Sequence, residues 1–96
     1  MISVTKVYIV DDHQMLIDGL KALLNGEPTI SIIGESNSSK HALIQILNLH
    51  PTIVLTDINM PEMDGIELTK EIKNKTIYNV FYTFSDDEAA EKELHT

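Results

Sequence analysis

The chain has 96 residues, enough for one domain with a core of its own. Hydrophobic residues make up 43% and charged residues 23%, a globular balance without a charge block that would mark a disordered tail. Seven lysines, no arginine and fifteen acids leave a formal net charge of -8, which argues against a nucleic-acid backbone as a direct partner; the absence of cysteine excludes a disulfide framework and a thiolate metal site.

The first residues lack the basic-then-apolar order of a signal peptide, and no apolar run approaches the roughly 18 residues needed to span a membrane. A cytoplasmic location without membrane contact is the expectation. Lys6 to Val10 is an apolar, β-branched run ending at Asp11-Asp12, which predicts a first strand with acids at its C-terminal end. From His13 onward, Leu16, Leu20, Leu23 and Leu24 repeat at the spacing of one helix face, and Asn25-Gly26 supplies a stop.

Ile30 to Ile33 predicts a second strand closed by Gly34. Ser36-Asn37-Ser38-Ser39 offers helix caps, and Ala42, Leu43, Ile46, Leu47 and Leu49 form the apolar stripe of a second helix ended by Pro51. Ile53-Val54-Leu55 then leads to Asp57 with no polar alternation, the pattern of a strand buried on both faces. Pro61 and Met63-Asp64-Gly65 predict a loop, with Met60 and Met63 packing it. A third helix follows from Gly65, turning Leu68 and Ile72 inward and Lys70, Lys73 and Lys75 outward. Tyr78 to Thr83 predicts a fourth strand, and Ser85 with Glu88 three residues on is a capping box that opens a last short helix.

Strands and helices that alternate through short connections imply a parallel sheet with helices on both faces. The expected fold is α/β and flavodoxin-like, a three-layer sandwich with sheet order 2-1-3-4. In that order the first and third strands are neighbours, so Asp11, Asp12 and Asp57 meet at one sheet edge.

Alone, Asp11-Asp12 reads as a strand end and Asp57 as a turn residue; together they carry a cost. Two like charges about 4 Å apart repel by roughly 4 kcal/mol at an effective dielectric near 20. A divalent cation relieves this, and an all-oxygen donor set points to a hard ion such as Mg²⁺. The same ion would screen a phosphoryl group and let a carboxylate attack it. His13, His41, His50 and His95 share no ligand spacing and read as surface residues.

Three blocks then carry a resemblance: Val7-Tyr8-Ile9-Val10-Asp11-Asp12-His13, Asp57-Ile58-Asn59-Met60-Pro61-Glu62-Met63-Asp64-Gly65, and Val80-Phe81-Tyr82-Thr83 before Asp86-Asp87-Glu88. In this order and spacing the chain resembles the receiver domain of two-component response regulators over nearly its whole length. It is most similar to receivers of the LuxR/NarL type, which precede a helix-turn-helix output domain. The resemblance implies that Asp57 is the phosphoacceptor, served by a sensor histidine kinase or a small phosphodonor. It implies that Asp12 binds Mg²⁺ directly, that Asp11 helps through a water or by positioning, and that the backbone carbonyl of Asn59 completes the metal site. It makes Thr83 the switch hydroxyl, with Ser85 taking that place if the fourth strand slips by two residues.

Some of the family pattern is not matched. Receivers have a fifth strand, begun by a Lys that pairs with the phosphoryl group, and a fifth helix; this chain stops at Thr96, before both. Residues 1–96 are therefore expected to be a receiver domain incomplete at its C-terminus, with the fourth strand as an exposed edge. Self-association as a homodimer or exchange of a segment would cover that edge. Phe84 stands where a small residue often follows the switch hydroxyl, which narrows access to the site. The leading function is a phosphorylation-dependent switch controlling an output such as transcription, with no separate substrate. The alternative is a receiver-like interaction or dimerisation module without turnover. A haloacid-type phosphatase is disfavoured because Asn59, not an aspartate, stands two positions after Asp57.

Overall fold

The computed structural model describes residues 3–75 and the strand at 81–84. Seven elements alternate along the chain: β1 (Thr5–Val10), α1 (Gln14–Leu24), β2 (Ile30–Ser36), α2 (Ser39–Leu49), β3 (Ile53–Asp57), α3 (Gly65–Lys75) and β4 (Phe81–Phe84). The strands form one sheet in the order β2-β1-β3-β4, and every adjacent pair is parallel. That is the predicted topology. The predicted helix from Ser85 lies outside the described residues, as does the predicted start of the fourth strand; its described part runs through Phe84, one residue beyond the expected end.

The two faces of the sheet are sorted by alternation along β1. Tyr8 and Val10 point to one side and pack with Val54, Ala42, Ile46, Met60, Leu68 and Ile72, which joins α2 and α3 to the sheet. Val7 and Ile9 point to the other and meet Ile17 of α1, with Ile30, Ile32, Ile53 and Leu55 half-buried around them. Both faces of β1 are thus covered, as its unbroken apolar run anticipated, whereas β3 buries Val54 on the α2/α3 side and leaves Ile53 and Leu55 half-buried on the other. Leu68 and Ile72 are fully buried, as expected for α3, and each such side chain contributes roughly 1.5–3 kcal/mol.

Helix α1 departs from the expected stripe. Its buried residue is Ile17, Leu20 and Leu24 are half-buried, and Leu16 and Leu23 remain exposed. Gln14 and Lys21, two turns apart, both bond the Glu35 carboxylate on β2 and hold the helix at this rotation. Helix α2 buries Ala42 and Ile46, but Leu49 at its last position is exposed. Its cap is Ser38, whose hydroxyl accepts from the His41 amide at 3.4 Å, and His50 closes it in the left-handed region at φ 55 before the buried Pro51.

Strand β2 does not stop at Gly34. It continues to Ser36, with a register shift opposite Val7/Tyr8 that leaves Ile33 unpaired. The glycine answers a close approach: a Cβ at Gly34 would lie 2.6 Å from a ring carbon of Tyr8. Where α1 ends, Gly26 adopts φ +95, so there the glycine is a helix stop as read.

Candidate functional site

The C-terminal ends of β1 and β3 lie side by side, with Val10 paired to Thr56. This register brings Asp11, Asp12, His13 and Asp57 together, one donor atom from each lying within 4.8 Å of all the others. Asp11 is fully buried and Asp57 nearly so, whereas Asp12 is partly exposed and His13 is largely exposed. Buried acids therefore form the floor and the exposed pair forms the rim.

One oxygen of Asp11 is satisfied locally: Oδ1 accepts from the His13 amide at 2.8 Å and faces His13 Nδ1 at 3.0 Å. The other, Oδ2, is buried and has no hydrogen-bond partner. A buried carboxylate oxygen without a donor is costly unless a cation meets it. The donor set is three carboxylates and one imidazole, so the residues fit a divalent ion, and the three acids suit a hard ion such as Mg²⁺.

Asp57 is held by its own turn. Its Oδ1 accepts from the Asn59 amide at 3.1 Å, while the loop closes behind it through Gly65 N–H donating to the Ile58 carbonyl at 2.9 Å. Burial raises the Asp57 pKa above its ordinary value, and the charges of Asp11 and Asp12 push the same way; the Asn59 amide and His13 oppose them. His13 is raised in turn, first by its bond to the Asp11 carboxylate and then by the charges of Asp12 and Asp11.

A second set of contacts fixes the acid loop from outside. Asn37, just past β2, donates from Nδ2 to the Asp11 main-chain carbonyl at 2.9 Å and to Gln14 Oε1 at 3.1 Å. Gln14 also donates to Asp18 and Glu35. Hydrogen bonds from Gln14 and Lys21 hold the Glu35 carboxyl below its usual range, so that charge is balanced away from the cluster.

The predicted Asp11, Asp12 and Asp57 are thus brought together, and Asn59 lies in the turn immediately beyond. Thr83 sits on β4 in register with Thr56, and Phe84 with Asp57, so the fourth strand ends beside the acids; Ser85 lies outside the described residues. Three residues escaped the sequence reading. His13, expected at the surface alone, bonds the acid pair. Asn37, read as a cap, bridges two loops. Gly65, read as a helix start, is packed against the Asp57 backbone. Asn37 had a signal in the expected strand order, since the loop after β2 must border the loop after β1.

A protein-family model described as the response regulator receiver domain matches residues 7–95. The chain is 42% identical over 84 residues to the transcriptional regulatory protein YdfI of Bacillus subtilis, covering 85% of this chain and 39% of that protein. It is 32% identical over 79 residues to the nitrate/nitrite response regulator protein NarL of Escherichia coli, covering 82% and 37%. It therefore spans about two-fifths of the length of these curated relatives. Among solved structures, the isolated receiver domain of RcsB from Salmonella enterica, determined with the phosphomimetic BeF₃⁻, is similar with a TM-score of 0.79 and 28% identity, over 97% of this chain and 71% of that one. The receiver domain of NarL from Mycobacterium tuberculosis shares the fold with a TM-score of 0.81 at 24% identity, over 97% and 77%. Among the described residues, no helix is long and apolar enough to cross a membrane.

Proposed function

Because the chain belongs to the response regulator receiver family of two-component systems, we propose that Asp57 accepts a phosphoryl group from a sensor histidine kinase and that Mg²⁺ is required. The observation that carries this reading is Asp57 at a parallel-strand end, in one cluster with Asp12 and with Asp11, whose buried Oδ2 lacks a partner.

The step needs little covalent machinery. A carboxylate oxygen of Asp57 attacks phosphorus and forms the new P–O bond. The bond from phosphorus to the donor breaks in line, and its electron pair leaves with the kinase imidazole or the acyl carboxylate. The Asn59 amide orients the nucleophile through its bond to Oδ1. Asp11, Asp12, Asp57 and the Asn59 carbonyl would hold Mg²⁺, with Asp11 fixed by the His13 amide and its own carbonyl by Asn37. When bound, Mg²⁺ supplies the positive charge that lets an anionic phosphoryl group approach three acids.

Thr83, level with Thr56 on the neighbouring strand, is assigned the switch hydroxyl that contacts the new phosphoryl oxygens. The relative named as a transcriptional regulatory protein supports a transcriptional output, in the cytoplasm, through other parts of a longer regulator. The net charge of -8 supports an indirect role in DNA contact for this segment.

The test is incubation with Mg²⁺ and a small acyl phosphate, read by intact mass. One added phosphoryl group that is absent from Asp57→Asn and absent without Mg²⁺ is expected. No adduct and no Mg²⁺ binding would leave the chain as an interaction module.

A further inference from the structure

The rim of the site carries a nitrogen beside its oxygens. His13 Nδ1 lies 3.0 Å from Asp11 Oδ1 and 3.0 Å from Asp12 Oδ1. Bonds of about 2.1 Å meeting at right angles on a divalent ion place neighbouring donors about 3.0 Å apart. Nδ1 is thus spaced from each of the two carboxylate oxygens as one ligand is from its neighbour.

The backbone keeps the ring there. His13 is the N-cap of α1, with extended φ -105 and ψ 103, yet its side chain makes no cap hydrogen bond. Its amide is tied to Asp11 Oδ1 instead, so the residue is anchored to the cluster at both ends. The unpartnered, fully buried Asp11 Oδ2 is an independent sign that a cation belongs here. The ring itself is 69% exposed, which leaves room for the remaining waters of an ion.

We propose that His13 sets the cation preference of this site: Nδ1 joins Asp11 and Asp12 as a nitrogen ligand and favours imidazole-seeking divalent ions of the Zn²⁺ and Co²⁺ kind. This rests on the cation site proposed above. Mg²⁺ takes oxygen donors and keeps several waters, so it gains little from an imidazole; Zn²⁺ and Co²⁺ gain a strong ligand. The chain would then hold two classes of ion with different parts of one cluster.

The experiment titrates Mg²⁺ and Zn²⁺, separately and at one fixed pH, into the whole chain and its His13→Gln variant by calorimetry, with ¹⁵N spectra of the labelled imidazoles. Circular dichroism confirms that the variant folds. The expected result is a loss of about tenfold or more in Zn²⁺ affinity in the variant with Mg²⁺ affinity changed less than about threefold. In the parent chain the His13 Nδ1 resonance moves with Zn²⁺ saturation and not with Mg²⁺. If both ions bind parent and variant equally, or the Zn²⁺-shifted ring is His41, His50 or His95, the assignment of His13 is overturned while the acid site stands. If neither ion binds either protein, the acid site itself is overturned.

Discussion

A Cβ placed on Gly65 would lie 2.4 Å from the main-chain carbonyl oxygen of Asp57 and 3.0 Å from its carbonyl carbon. The start of α3 is packed directly against the backbone that presents the candidate nucleophile. An Ala at an ordinary exposed helix position is about 1 kcal/mol better than Gly. Here the clash with main chain reverses that sign, and overpacking costs about 1–3 kcal/mol. Gly65→Ala is expected to lower the urea midpoint and to reduce the rate of phosphoryl acceptance together; a variant more stable than the parent would show that this contact relaxes freely.

Asp57 is expected to work against the fold that holds it. Its pKa is raised above the ordinary 3.8, chiefly by burial and then by Asp11 and Asp12. For a group raised in the folded state, the contribution to stability is present below the unfolded value and lost as pH rises through the folded one. The charged form is thus the unfavourable one at neutral pH. Asp57→Asn keeps an acceptor for the Asn59 amide while removing the charge, so its urea midpoint should exceed the parent's at pH about 7.5 and approach it as the pH falls toward the ordinary 3.8. Saturating Mg²⁺ should stabilise the parent more than the variant and narrow the gap.

The acids were legible in the sequence because each ends an apolar run, and once the strand order is granted their meeting follows from β1 and β3 being neighbours. What was not legible depends on contacts across the sheet. Gly34 carries the signature of a strand stop, yet it lies within β2, and it is glycine because the Tyr8 ring leaves no room for a Cβ there. Leu16 and Leu23 have the helical spacing of a buried face, but the bonds from Gln14 and Lys21 to Glu35 turn α1 so that Ile17 faces the sheet. His13 has no ligand spacing to any other histidine; its partners are the two residues before it, and only the turn of the chain at the end of β1 points its ring back to them.

Tyr8 gives a prediction at alkaline pH. The ring is fully buried between β2 and α2, and its hydroxyl donates to Gln45 Oε1. Burial, opposed by the Ser36 side chain and aided by the nearby Glu35 charge, pushes the phenol from 10.0 up to about 12. A raised group contributes stability below its unfolded value that is lost as pH climbs through its folded one, so the loss falls between pH 10.0 and about 12. Full ionisation costs on the order of 2–3 kcal/mol. Tyr8→Phe isolates the phenol: the variant should be about 1 kcal/mol less stable than the parent at neutral pH for its lost hydrogen bond, and should lose less as the pH is raised. Parallel curves of unfolding free energy against pH would assign the alkaline loss to other groups.

Asn37 tests whether the acid loop is held from outside the site. Its side chain spans from the loop after β2 to the loop after β1, donating to the Asp11 carbonyl and to Gln14. Neither Asp11 carboxylate oxygen is touched, so Asn37 acts by fixing where the Asp11 backbone sits. The residue is exposed, and removing its bonds should cost at most about 1 kcal/mol of stability. The effect on the ion should be larger, because carboxylates that share one cation must keep their spacing, and loss of such outer support lowers affinity by about tenfold. Asn37→Ala is therefore expected to weaken Mg²⁺ binding by calorimetry while the urea midpoint barely moves. Asn37→Asp should be worse for the ion than Ala, since its carboxylate would face the Asp11 carbonyl oxygen with no hydrogen to offer and add a negative charge to the loop. Equal Mg²⁺ affinity in parent, Ala and Asp variants would mean that the β1 end and the His13 amide alone position Asp11.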